Sequence, residues 1–181
     1  MKSISKLLTL AAILLITGIT TNVMAQATVT GTSAGASIIA PITLVQSGVL
    51  NFGSMSVLVG TGGTCVLPSN STVRTQTGGV NLSAITPVAT NAAYNVTGNK
   101  NTTYAVELPT DIVVTETSGG VQVMHITLLK ARFNGAAADA ITSTLSDLGT
   151  DNFTVGGTLT VAAGQLAGTY SGTFNVTVAY N

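Results

Sequence analysis

The chain has 181 residues, of which only 7% are charged, and its six basic and six acidic side chains leave a formal net charge of zero. An ordinary soluble domain carries roughly 25% charged residues, and without a basic patch to neutralise phosphates a nucleic-acid partner is excluded. A single cysteine, Cys65, rules out an intramolecular disulfide, and with a single histidine it falls short of the three or four ligands a zinc site needs.

Residues 1–25 read as a secretory signal peptide. Lys2 and Lys6 give a positive start, residues 7–19 are mostly apolar, and Val23-Met24-Ala25 places small residues where a signal peptidase reads. Cleavage is expected between Ala25 and Gln26. The apolar run is short for a bilayer span, and no second one follows, so no membrane span is expected once the leader is gone. Residues 26–181 keep four basic and six acidic groups, a net charge of −2. That length suits one domain. Its polarity comes from Thr, Ser, Asn and Gly, which suits a surface that meets copies of itself.

No later stretch holds helical periodicity. Period-two runs recur instead, punctuated by Gly, Asn, Ser and Pro, which is the pattern of an all-β sandwich. Ile38, Ala40, Ile42 and Leu44 alternate in "ASIIAPITLV". "VLNFGSM" is a short strand bent at Gly53, and "GTGGTCVLP" is a glycine-rich turn into a strand that Pro68 ends. "GGVNLSAI", "AAYNVTG" and "TTYAVELP" follow, the last two with Tyr94 and Val96, then Tyr104, Val106 and Leu108, on single faces.

"DIVVTETSGGVQVMHITLLKARF" predicts a hairpin turning at Ser118-Gly119-Gly120. Its second arm can bury Met124, Ile126 and Leu128, or Val123 and Leu129, and a bulge would let both faces contribute. "NGAAADAITSTLSDLGTDN" is either a long loop or a turn of helix around residues 136–141. "FTVGGTLTVAAGQLAGTYSGTFNVTVAYN" closes the sequence as two strands, the second alternating at Tyr170, Phe174, Val176, Val178 and Tyr180. The expected fold is one immunoglobulin-like Greek-key β-sandwich of about eight to ten strands.

Residues that could carry chemistry are few. Cys65, in "GTCVLP", reads as a small buried apolar residue. His125 lies within a strand with no second histidine for a metal and no nucleophile motif such as G-x-S-x-G. Asp147 and Asp151 could offer oxygens to calcium, but loop carboxylates more often form turns. The pairs Gly62-Gly63, Gly78-Gly79, Gly119-Gly120 and Gly156-Gly157 do not open a helix, so they read as turns or bulges and not as a phosphate cradle. No catalytic residue, cofactor site or metal site is expected, and the chain is read as non-enzymatic. The six Asn-x-Ser/Thr triplets, starting at Asn70, Asn81, Asn95, Asn101, Asn152 and Asn175, are what such a composition produces by chance.

"GGTLTVAAGQLAGTYSGTFNVTVAYN", with "LNFGSM" and "TGGVNL", resembles a family of secreted bacterial domains of unknown function, allied to the spore coat U and archaic chaperone–usher pilin sandwiches. The resemblance covers about residues 36–181. Chaperone–usher pilins end on an alternating strand with a penultimate aromatic and a glycine fourteenth from the end, the places of Tyr180 and Gly168. The resemblance implies a sandwich lacking one strand, first gripped by a periplasmic chaperone and then completed by a neighbouring subunit. It implies an acceptor edge of Gly168, Tyr170, Phe174, Val176, Val178 and Tyr180. The donor would be residues 26–35, with Ala27, Val29 and Gly31 facing one way.

The expected organisation is therefore a leader (1–25), an extension that can act as donor strand (26–35) and a β-sandwich (36–181). The expected role is a structural subunit of a bacterial surface fibre or coat, exported through the periplasm to the cell surface or beyond. Its partners would be its own copies or a periplasmic chaperone, met through the last strand. The alternative is a self-complete secreted binding or matrix module that does not polymerise.

Overall fold

Strand pairing starts just after Pro41, which lacks the N–H a ladder needs. A computed structural model describes residues 27–181, none of them helical. Residues 27–37 form a separate unit without assigned secondary structure, and Ile38–Asn181 form the second. The expected leader and the expected cleavage pair Ala25 and Gln26 lie outside the described residues.

Within the second unit the chain makes β1 (Thr43–Gly48), β2 (Met55–Val57), β3 (Gly63–Leu67), β4 (Thr75–Gly78), β5 (Val80–Leu82), β6 (Ala92–Thr97) and β7 (Thr103–Glu107). It continues through β8 (Asp111–Glu116), β9 (Val123–Phe133), β10 (Thr142–Thr144), β11 (Thr150–Val161), β12 (Tyr170–Ser171) and β13 (Thr177–Tyr180). Thirteen pieces replace the eight to ten expected, because several are two or three residues long and too short to show a period. The stretch around residues 136–141 is loop, followed by β10.

The large sheet runs β1-β6-β11-β9-β8-β12, with β3 pairing β11 and β4. A second sheet runs β10-β7-β13, and β2 and β5 form a small third. Every ladder is antiparallel. The order β1-β6-β11-β9 reproduces the A-B-E-D sheet of the immunoglobulin arrangement, and β7–β13 its C–F pair. Among the described residues no strand occupies the G position beside β13.

β11 is the spine. Its first half pairs with β6 and its second half with β3, while β9 lies along its other side. Gly156 sits at the changeover, where a Cβ would run into the Leu67 carbonyl. Only glycine lets the two backbones pass that closely.

The β8–β9 hairpin turns as expected, and β9 uses its two faces in turn; of the candidates only Ile126 is buried, Met124 and Leu129 are half-buried, and Val123 and Leu128 are exposed. Leu128 adopts φ +51, and the β9–β11 register shifts between Gly156 and Thr158. Ile126 is buried before this bulge, while Ala131 and Phe133 are buried after it. Leu128 itself is 70% exposed. A one-residue insertion thus moves the inward face from even to odd numbers.

Two core clusters result. The first gathers Phe52, Cys65, Leu67, Val80, Ile112, Ile126 and Leu159. The second gathers Tyr94, Val96, Tyr104, Val106, Phe133, Leu145, Phe153 and Val155. Its aromatics interlock: Tyr94 stacks on Phe153 at 5.1 Å, and Tyr104 meets Phe133 edge-on at 5.9 Å. Each such side chain contributes about 1.5–3 kcal/mol by leaving water.

Candidate functional site

The last segment does not stay on one sheet. Tyr170–Ser171 pairs with β8, and Thr177–Tyr180 pairs with β7, while residues 172–176 have no ladder partner. Gly172 permits the crossing, because a Cβ there would strike the Val113 carbonyl. A hollow of about 420 Å³ opens under the crossing, bordered by Glu107, Pro109, Asp111, Val113, Phe174 and Asn175. No cysteine, lysine or histidine lines it.

Side chains along the segment alternate strictly. Phe174, Val176, Val178 and Tyr180 are half-buried, whereas Asn175, Thr177 and Ala179 are exposed. These four large side chains pack on the second cluster together with Ile42 and Leu44, which flank the start of β1. β1 is the outer strand of the large sheet and β13 the outer strand of its own, so each has one unpaired edge. No backbone hydrogen bond joins them among the described residues. Instead, the Tyr180 hydroxyl accepts the Asn99 amide at 2.6 Å and donates to the Ala40 carbonyl at 2.8 Å. The central members of the second cluster are buried, and a half-buried row of apolar side chains lies over them between two open edges.

Gly168 and Tyr170 lie apart from that row. A Cβ on Gly168 would crowd the Glu116 carboxylate. The Tyr170 hydroxyl donates to the Leu166 carbonyl and accepts from Gln165, each at 2.9 Å. Gly168 belongs to the loop that meets the β8–β9 turn, where Leu166 donates its amide to Gln122, and Tyr170 opens β12 just after it. Of the six residues expected on the acceptor edge, four converge and two stand at its far end. Ile42 and Leu44, the opposite wall, are visible in the sequence only as ordinary alternation.

In the first unit Ala27, Val29 and Gly31 are exposed, Val29 at 83%. Gly31 takes φ +80, which interrupts an extended run there.

Several polar residues away from this row bond to the framework. Arg74 donates to the carbonyls of Phe52, Ser54 and Ser83 at 2.6, 2.9 and 2.7 Å, tying three loops together. Cys65 is fully buried, and burial pushes its thiol up, with the nearby Arg74 charge pulling the other way. His125 lies on the surface with Nδ1 2.8 Å from Asp111. Asp139 accepts from Ser69 and Arg132. Burial alone would raise its carboxyl, but the Ser69 bond and the Arg132 and Lys130 charges hold it below the usual range.

Asp151 is occupied by the protein itself. Its carboxylate accepts the hydroxyls of Tyr104 at 2.9 Å and Ser143 at 2.6 Å, and the Asn152 amide at 2.8 Å. Among the described residues no group of three or more His, Cys, Asp or Glu could together hold a metal ion, and no helix is long and apolar enough to cross a membrane.

The family model described as a domain of unknown function (DUF4402) matches residues 42–180, from the first strand to the Tyr180 hydroxyl clasp. No curated protein matches the chain.

Proposed function

We propose that this chain, which belongs to the DUF4402 family, is a non-enzymatic structural subunit of a bacterial surface fibre or coat, assembled by β-strand exchange. One observation carries the reading: two unpaired edges, β1 and β13, flank the row Ile42, Leu44, Phe174, Val176, Val178 and Tyr180 at the vacant G position. An added strand would bond both edges and cover the row, which combines main-chain hydrogen bonds with side-chain burial. Residues 27–37, exposed and without assigned secondary structure, supply the strand to a neighbour. The leader sends the chain to the periplasm, where a chaperone holds the same edge until the neighbour's segment replaces it.

Mature chain refolded at high concentration forms fibres visible by electron microscopy and multimers that survive detergent but not boiling. Deleting residues 26–35 leaves monomers folded and abolishes fibres. Fibres that survive the deletion exclude this segment as donor.

A second reading, a self-complete binding or matrix module, draws support from the Tyr180 clasp and from the absence of unsatisfied buried side-chain polar atoms among the described residues. It requires reversible two-state unfolding of a monomer at every concentration.

A further inference from the structure

The end of the sandwich away from Tyr180 is an apolar tip. β11 runs toward it from Thr150 to Val161, and three loops converge beyond its end. Residues 58–62 approach residues 161–163 so closely that a Cβ on Gly62 would meet the backbone of Val161 and Ala163. The loop of residues 162–169 is tied to the β8–β9 turn by the bonds Thr117 N–H to Thr169 and Leu166 N–H to Gln122. Four large apolar side chains stand out from these loops: Leu58 at 56% exposure, Val59 at 100%, Val121 at 92% and Leu166 at 60%. None of the three loops carries a charge. The nearest, Glu116, is turned back onto the Ser118 and Gly120 amides.

Resting on the strand-exchange reading, we infer that the occupant of this tip is the body of the next copy, docked through its Ile38 and Ile39. Both residues are exposed, Ile38 at 99% and Ile39 at 51%, and both directly follow the exchanged segment. Residues 27–37 number eleven, and at about 3.3 Å per residue they reach about 36 Å. The twelve-residue β11 spans about 40 Å by the same measure. A donor laid along the groove is therefore used up over the length of the sandwich, with no spacer left, and the two bodies must touch.

Direction decides which end receives the contact. The sheet that the donor joins, β10-β7-β13, is antiparallel throughout. Antiparallel addition to β13 makes the donor enter beside Tyr180 and leave at the tip. The next copy's Ile38 and Ile39 then arrive against Leu58, Val59, Val121 and Leu166, so two exposed apolar sets cover each other.

The test uses refolded mature chain, followed by light scattering and electron microscopy, with uptake of a labelled synthetic peptide of residues 27–39 measured in parallel. Val59→Asp combined with Val121→Asp should leave peptide uptake at the wild-type level and slow polymer growth at least tenfold. Val73→Asp, exposed but on another loop, should change neither. Wild-type polymer growth by the double variant, with normal peptide uptake, overturns the docking while leaving strand exchange standing. An equal slowing by Val73→Asp also overturns it. Failure of the wild-type chain to take up the peptide removes the strand-exchange reading itself.

Discussion

The Tyr180 hydroxyl donates to the Ala40 carbonyl across 2.8 Å, and this side-chain bond ties β13 to the segment leading into β1, a strand with which it shares no ladder. The same oxygen accepts the Asn99 amide, so one phenol ties β13 both to the approach to β1 and to the β6–β7 turn. A side-chain clasp holds the two edges near each other without filling the ladder between them. It closes the end of the gap and leaves its length open.

Tyr180→Phe keeps the ring on the second cluster and removes both bonds. Each neutral hydrogen bond contributes about 0.5–1.5 kcal/mol, so the variant should lose about 1–2 kcal/mol in urea unfolding. Under the strand-exchange reading it should also take up donor peptide faster, because the edges separate more readily. Unchanged stability would mean that water replaces the phenol at no cost.

Arg74→Gln removes a cation that bonds three carbonyls in three different loop positions. A hydrogen bond to a charged group contributes about 1.5–3 kcal/mol, and the three act as one unit, so a loss of about 3 kcal/mol is expected. Cys65 reports on the same region. Buried and with its thiol held protonated, it should resist a thiol reagent in the native protein and react at the unfolding rate. In the Arg74 variant, reaction should accelerate by the same factor as unfolding, which grows exponentially with the lost stability. Rapid labelling of the native wild type would contradict the burial of Cys65.

The sandwich was legible because alternation is a local signal: β3, β6, β7 and the β8–β9 hairpin lie where apolar residues recur at every second position. The terminal alternation at Phe174, Val176, Val178 and Tyr180 was legible for the same reason. What escaped depends on contacts between distant segments. Gly172 looks like any other glycine until Val113 lies beside it, so the passage of the last segment between sheets has no signature. Arg74 is one of four cations in residues 26–181, and nothing in "STVRTQ" points to Phe52 or Ser83. The two candidate faces of β9 could not be ranked because both are used, on either side of Leu128.

Leu128 makes that change of face at φ +51, a left-handed conformation that costs an L-residue about 1–2 kcal/mol. Leu128→Gly removes the steric cost and adds about 0.5–1 kcal/mol of backbone entropy loss on folding. With the side chain 70% exposed, little burial is forfeited. The glycine variant should match or exceed wild-type stability by up to about 1 kcal/mol. Leu128→Val, β-branched and worse in this region, should fall about 1 kcal/mol below wild type. If the valine variant proved as stable as the glycine variant in urea midpoint, the bulge would not be strained.

Tyr104 gives the fold a limit at high pH. Burial is the main cause that raises its hydroxyl, and the hydrogen bond and charge of Asp151 raise it further. Burial also raises Tyr94, which stacks on Phe153 in the same cluster. In the unfolded chain both ionise near the ordinary tyrosine value of about 10, whereas the folded chain keeps its protons. Above that pH the unfolded state holds fewer protons than the native one, so stability falls as pH rises and is intact below it. The phenolate absorbance of these two tyrosines should therefore appear together with loss of near-ultraviolet circular dichroism, in one cooperative step above about pH 10. Tyr104→Phe takes away one of the two protons that resist release, so its stability should decline less steeply with pH above that point. The variant also leaves the Asp151 carboxylate without its phenol partner, which lowers stability near neutrality by about 1–3 kcal/mol. The two effects have different pH dependence, and urea titrations at neutral and alkaline pH separate them. Ionisation of Tyr104 in a chain that keeps its native dichroism would show that the Asp151 site is open to solvent.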